Sequence, residues 1–197
     1  MLCIACASPP DAGRLCRECA RSLRLAPTRT VNSVLVQPVF NHSGAAVRLI
    51  HNLKYRRSQK AARFLAQHMA QRLPTMATLL VPIPRVLSRR IVYGIDQTAV
   101  LADMIGGIAD LPVVDALAPP VWSPRSAGKD RSHRQIPGFR QRTTVGPGAV
   151  LIDDVCTTGA TIVGAAAALG ADAGFSSLVA TSASSMKTGA TLVAPRR

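Results

Sequence analysis

The sequence predicts a mixed α/β fold, a mostly parallel sheet flanked by helices, with a small cysteine-bearing segment at its N-terminus. Three observations carry this reading. From Val34 onward, short apolar runs rich in β-branched residues alternate with stretches whose apolar residues recur at helical spacing, the order that βαβ units produce. Four of the five cysteines fall within the first 20 positions. Apolar residues make up 48% of the 197-residue chain and charged residues only 17%, far from the composition of disordered chains and sufficient for one domain with a buried core.

The elements follow in chain order. Arg21 to Thr30 reads as a basic linker around Pro27. Val34 to Phe40 is a strand, and Ser43 caps a helix carrying Val47, Leu49, Ile50 and Leu53. Ser58 caps a second helix, in which Ala61, Phe64, Leu65, His68, Met69 and Leu73 share a face. Leu79-Leu80-Val81 is a short buried strand running into the loop Pro82-Ile83-Pro84. A helix is predicted from Asp96 to about Ala109, and a strand at Val113-Val114. Pro119 to Gly148 has little periodicity, carries mostly arginine charge and reads as a long functional or mobile loop. Val150-Leu151-Ile152 is a strand, Thr161 to about Leu169 a helix, and Ser177 to Ala180 the last strand. The organisation expected is a four-cysteine segment at 1–26, an α/β domain at 31–184 and a basic tail at 185–197.

The formal charge is +14, with lysine only at positions 54, 60, 129 and 187, so arginine supplies most of the excess, and Glu18 is the sole glutamate. Such a balance favours anionic partners: nucleic acid, phosphorylated metabolites or a membrane surface. A compositional bias toward Ala, Arg, Gly and Pro is the competing explanation, and the location of the charge decides between them. Arg48, Lys54, Arg56, Arg57, Lys60 and Arg63 form an acid-free run and are the candidate nucleic-acid contacts, against the alternative of a solvated basic face. Aromatic residues are only 4% of the chain, with Trp122 and Tyr55 the better stacking candidates. No run approaches the roughly 20 apolar residues of a membrane-spanning helix, and MLCIACASPP lacks the charged start and long apolar core of an export signal. A cytoplasmic location is expected.

Cys3, Cys6, Cys16 and Cys19 form two Cys-x-x-Cys pairs. Each pair presents two thiolates to one side, and four thiolates complete the closed tetrahedral shell of a structural Zn²⁺, a zinc-ribbon-like arrangement with no open position for water. Disulfides or free thiols are the other reading; Arg14, Arg17 and Arg21 would offset the charge of a zinc-tetrathiolate centre. His42, His51, His68 and His133 show no metal-site spacing and read as packing or surface residues. Cys156 has no His or Lys neighbour in sequence and reads as a packing residue rather than a nucleophile.

The sharpest feature is VLIDDVCTTGAT, Val150 to Thr161. An apolar strand ends at Asp153-Asp154, turns through Val155-Cys156 and opens a helix through Thr157, Thr158, Gly159, Ala160 and Thr161. Small and hydroxylated residues at a helix start offer N–H groups, hydroxyls and the positive end of the helix dipole to a phosphate, while two carboxylates upstream accept hydrogen bonds from sugar hydroxyls. A sugar phosphate satisfies both. The Gly-Lys-Ser/Thr ending of a Walker loop and the three spaced glycines of the dinucleotide fingerprint are absent.

This stretch resembles the phosphoribosyl pyrophosphate (PRPP) motif of type I phosphoribosyltransferases. Together with the cysteine pairs, Leu53-Lys54-Tyr55, Val81-Pro82-Ile83-Pro84 and Arg89, it makes the chain similar to the ComF family, a zinc-binding segment fused to a phosphoribosyltransferase-like domain, over residues 1–182. The resemblance implies that Asp153 and Asp154 hold the ribose hydroxyls, directly or through Mg²⁺. It likewise implies that Thr157 to Thr161 cradle the 5′-phosphate and that Arg85, Arg89 and Arg90 face the pyrophosphate. The family's R-G-F-N-Q motif reads Tyr93-Gly94-Ile95-Asp96-Gln97 here, so a fixed guanidinium fork is missing and only Gly94 and Gln97 remain. Thr157 stands where purine-using relatives carry an aspartate, which removes a general base for purine salvage.

Three functions remain open at this point. One is a ComF-like protein of DNA uptake, with DNA-uptake or helicase proteins as partners, that holds a phosphoribosyl ligand and contacts single-stranded DNA. The second is an active phosphoribosyltransferase acting on an amine or small base, and the third a PRPP-sensing domain without catalysis.

Overall fold

The computed structural model describes residues 2–10, 13–85, 96–119, 138–170 and 174–183. Its strands are β1 (Arg29–Val31), β2 (Val34–Asn41), β3 (Leu79–Pro82), β4 (Leu117–Ala118), β5 (Arg140–Gln141), β6 (Ala149–Cys156) and β7 (Ser176–Ser182). The helices are α1 (Arg17–Ser22), α2 (Gly44–Arg56), α3 (Gln59–Ala70), α4 (Gln97–Ala109) and α5 (Ala160–Ala168). The main sheet has the order β1-β2-β7-β6-β3, antiparallel between β1 and β2 and parallel elsewhere, and β4 and β5 form a separate antiparallel pair.

Side-chain alternation along the strands sorts the core into two faces. Leu80, Val150, Ile152, Leu178 and Ala180 turn toward α2, α3 and α4, where Leu49, Leu65, Met69, Leu101 and Ile105 cover them. Val36, Val81, Leu151 and Val179 turn the other way and meet Ile162, Ala165 and Ala166 of α5. A strand buried on both faces reads as a continuous apolar run, which is why Ala149-Val150-Leu151-Ile152 shows no polar alternation. The result is a mostly parallel sheet with helices on both faces, as the alternating sequence pattern predicts. Among the described residues no helix is long and apolar enough to cross a membrane.

The helix starts follow the expected chemistry in two cases of three. Ser58 accepts a hydrogen bond from the Ala61 N–H, and Asp96 from the Thr98 N–H. Ser43 occupies the N-cap position of α2 without a side-chain cap bond. The segment from Arg21 to Thr30 is more ordered than a linker: it holds the end of α1, a bridge between Leu25 and Phe40, and the start of β1. Arg72 secures it by donating to the carbonyls of Ala26 (3.1 Å) and Pro38 (3.0 Å). The strand predicted at Val113-Val114 reduces to a single bridge from Val113 to Leu80. The described ends of the 119–148 region include β5, whose Arg140 pairs with Ala118.

The cysteine segment is built onto the same core as α2 and α3. Cys3, Ile4, Cys16 and Cys19 are buried in the cluster that contains Leu49, Leu53 and Leu65. The Asn52 amide donates to the carbonyls of Ile4 (2.8 Å) and Ala5 (3.1 Å), and the Ser22 hydroxyl accepts from the Ala45 N–H (3.0 Å). Gly44 completes the join: a Cβ there would lie 2.9 Å from the Ser22 Cβ. Leu49, fully buried on α2, thus supports sheet and cysteine segment together. We expect Leu49→Ala to cost about 2–5 kcal/mol in urea denaturation, the range for removing a buried leucine side chain, with both parts lost in one transition.

Candidate functional site

The connections from β3 and β6 diverge. The chain leaving β3 passes through α4 on one face and returns at Val113, outside β3, while the chain leaving β6 passes through α5 on the opposite face and returns as β7. Adjacent parallel strands whose connections part in this way open a crevice at their carboxyl ends, the usual ligand position in open α/β sheets. Asp153 and Asp154 lie at the β6 side of that crevice, and Pro82-Ile83-Pro84-Arg85 at the β3 side. The acidic pair stands within β6, which continues to Cys156; the sequence places the strand end earlier, at the aspartates. Backbone pairing with β7 explains the extension, since Val155 and Cys156 are in register with Thr181 and Ser182.

Asp154 is matched by two cations from different elements. Lys54 Nζ, near the end of α2, lies 2.9 Å from its Oδ2, and Arg85 Nη2 lies 2.8 Å from the same oxygen. The backbone N–H of Arg85 donates to Asp96 Oδ2 (3.3 Å), and the Thr98 hydroxyl donates to the Ile83 carbonyl (2.8 Å), so the start of α4 holds the loop after β3. Asp153 is buried, and its Oδ1 accepts from the Asp154 N–H at 2.7 Å. Burial, reinforced by the neighbouring Asp154 charge, pushes the Asp153 carboxyl up to about 7. His42, in the turn after β2, hydrogen-bonds through Nδ1 with the Thr181 hydroxyl (2.9 Å); burial and the Lys54 charge lower its pKa, favouring the neutral ring.

The Thr157 to Thr161 segment divides into a turn and a helix start. The helix α5 begins at Ala160, one residue before the expected Thr161, with Gly159 as its N-cap residue at φ +83°. That backbone conformation, and Val31 Cγ1 lying 2.8 Å from where a Cβ would stand, make glycine the residue that fits. The Thr158 hydroxyl accepts from the Ala160 N–H (3.4 Å). Cys156 is buried, and burial raises its pKa despite an Arg29 guanidinium 3.5 Å from its sulfur, in keeping with a packing role.

The four N-terminal cysteine sulfurs all lie within 4.8 Å of one another, and all five cysteines are free thiols. A tetrahedral tetrathiolate site with bonds of about 2.3 Å spaces its sulfurs by about 3.8 Å; Cys6 and Cys16 stand 3.7 Å apart. The cluster therefore fits a metal ion. Alongside Arg14, Arg17 and Arg21, expected to offset the cluster's charge, Arg48 donates to Cys19 Sγ (3.5 Å), while Arg14 donates to Gln67. Burial, then the adjoining Cys6 and Cys16 thiols, push Cys19 up to about 12, with Arg48 pulling the other way.

The structure thus brings Asp153, Asp154 and Arg85 together and sets the Thr157–Thr161 segment at the end of the same strand. Arg89 and Arg90 lie outside the described residues, as do Trp122, His133 and the 185–197 tail. Two of the nucleic-acid candidates have inward roles instead: Lys54 is bound to Asp154 and Arg48 to Cys19. Arg56, Arg57 and Lys60 are exposed around the α2–α3 turn. His42 is the site residue that sequence reasoning missed, and Lys54, named there in Leu53-Lys54-Tyr55 and as a nucleic-acid candidate, belongs to the crevice instead. The position of Lys54 near the end of a helix entered from β2 was the available signal, but its partner lies 100 residues away.

Neither the models of known protein families nor the curated proteins searched contain a match to this chain. The acidic pair carries its own test. Because the folded Asp153 pKa lies above its ordinary value of 3.8, the native state retains a proton that the unfolded chain gives up, so the contribution of this group to stability falls as pH rises from about 4 to about 7. Asp153→Asn is expected to gain stability relative to the wild type over that interval, measured as the difference in urea midpoint at pH 4.5 and 7.5.

Proposed function

We propose that this chain is a ComF-like protein with a type I phosphoribosyltransferase-like domain, binding PRPP or a related phosphoribosyl ligand and serving DNA uptake in the cytoplasm through contact with single-stranded DNA. The observation that carries the reading is the acidic pair near the carboxyl end of β6, followed after two residues by the Thr157–Gly159 turn into α5 and bound by Arg85 from the loop after β3. Carboxylates, N–H groups and cations stand there in the order that ribose, 5′-phosphate and pyrophosphate require. Asp153 and Asp154 would accept from the ribose hydroxyls, the Thr157–Thr161 segment would receive the 5′-phosphate, and Arg85 would meet the pyrophosphate. Mg²⁺ accompanying the ligand would screen its phosphates from the two carboxylates. Lys54 and Arg85 both pair with Asp154, and two cations against that one carboxylate leave an excess of positive charge for an incoming polyanion.

The DNA contact is supported by Tyr55, Arg56, Arg57, Lys60 and Arg63, which are all exposed around the turn between α2 and α3 and combine cations with one stacking ring. The second reading, an active phosphoribosyltransferase for an amine or small base, is supported by the guanidinium of Arg85 beside the acidic pair, a cation of the kind that would stabilise leaving-group charge. Pyrophosphate release from PRPP and Mg²⁺ in the presence of acceptors distinguishes it. Salt-sensitive binding of single-stranded DNA without release supports the first reading.

For the cysteine cluster we propose a structural zinc held by Cys3, Cys6, Cys16 and Cys19, since four thiolates leave no position for water or substrate. Elemental analysis of the purified protein is expected to find about one zinc per chain, and a strong chelator is expected to lower Tm; an unchanged Tm would exclude a stabilising metal. For the ligand, isothermal calorimetry with PRPP and Mg²⁺ is expected to show binding by the wild type, weakened roughly tenfold or more in Asp153→Ala through loss of its hydrogen bonds to the ligand. Absence of heat with the wild type would refute the sugar-phosphate reading.

A further inference from the structure

Gln97 is the first residue of α4, adjacent to the Asp96 cap. It is only 1% exposed, and among the described residues neither Oε1 nor Nε2 of its amide has a hydrogen-bond partner. Polar groups are rarely kept in this state: a buried donor or acceptor without a partner costs about 1–3 kcal/mol, and Gln97 holds one of each. An apolar side chain of the same length would fill the space without that penalty.

The placement of Gln97 connects it to the crevice. It belongs to the buried stripe Gln97, Leu101 and Ile105, one residue per turn on the side of α4 that faces the sheet. Leu101 and Ile105 pack in the cluster containing Leu80, Val150 and Ile152. Along that same face of β6, the residue two beyond Ile152 is Asp154. Gln97 therefore starts its helix at the end of the sheet where Asp154, Arg85 and Lys54 meet. Its neighbours already serve that loop, since Asp96 accepts from the Arg85 N–H and Thr98 donates to the Ile83 carbonyl.

We infer that Gln97 is a ligand-binding residue of this crevice, its amide held ready for a hydroxyl group of the bound sugar. The inference rests on the phosphoribosyl reading above and names a recognition residue within it. A hydroxyl both accepts and donates, so it satisfies Nε2 and Oε1 alike. Phosphate oxygens only accept and would leave Oε1 without a partner. The ligand group read here is thus the sugar rather than its charged ends, complementing the carboxylate of Asp154, which accepts only.

The test is Gln97→Met, which keeps the length of the side chain and removes the amide. Calorimetry with PRPP and Mg²⁺ is paired with calorimetry with inorganic pyrophosphate and Mg²⁺, and with the Tm of the ligand-free protein. The expected result is PRPP affinity reduced roughly tenfold or more, pyrophosphate affinity unchanged, and a ligand-free Tm equal to or about 2–4 °C above that of the wild type. Unchanged PRPP affinity overturns the inference, and so does an equal loss for pyrophosphate, which indicates a distorted site. A lower Tm with unchanged PRPP affinity assigns the amide to a buried water and a structural role. Wild-type protein that fails to bind PRPP is a different failure: it removes the phosphoribosyl reading itself, and the hydroxyl role of Gln97 with it.

Discussion

Asp154 is the point on which the described site converges. A carboxylate that is nearly buried at the end of a parallel strand is costly unless its charge is matched, and here two cations from separate parts of the chain match it. Lys54 comes from α2 and Arg85 from the loop after β3, so one oxygen atom ties together three segments that are distant in sequence. Removing that carboxylate would leave two cations crowded at the crevice; removing either cation would leave the acid partly unbalanced. The neighbouring Asp153 answers the same problem in the other way: burial pushes its carboxyl up to about 7, so it keeps its proton below neutral pH.

The fold around this point was largely legible. Strands buried on both faces gave apolar runs such as Val150-Leu151-Ile152, and Ser58 and Asp96 marked helix starts by the hydrogen bonds their side chains make. Failures occurred where pairing between distant segments overrode local pattern. β6 continues through two aspartates because β7 pairs with it, a fact no window around residue 153 contains. Val113-Val114 has the right residues for a strand, yet Val113 makes only a single bridge, to Leu80. The site shows the same division. The Asp153–Thr161 segment is contiguous and could be recognised, whereas Lys54 looked like part of a basic run until its partner was visible across the fold.

The positive charge can now be divided by location. Arg48 serves a thiol, Arg72 secures backbone carbonyls, and Lys54 and Arg85 face an acid. These side chains are structural or belong to the crevice, and they do not form a general anionic footprint. The cations at the α2–α3 turn remain as an outward-facing group next to an exposed tyrosine. Among the described residues, the inward-facing cations are therefore subtracted from the charge that a nucleic acid could meet.

The helix α2 has a further consequence. Its first turn is seated against Ser22, its middle holds Ile4 and Ala5 through Asn52 and Cys19 through Arg48, and its last turn delivers Lys54 to Asp154. The helix is a shared beam, with the thiol cluster bolted to its flank and the crevice cation at its tip. Cutting the chain after the cysteines to isolate the α/β part would strip that beam of its support on one side. The angle at which Lys54 reaches the carboxylate is thus set in part by residues at the opposite end of the sequence, and the two regions form a single mechanical unit.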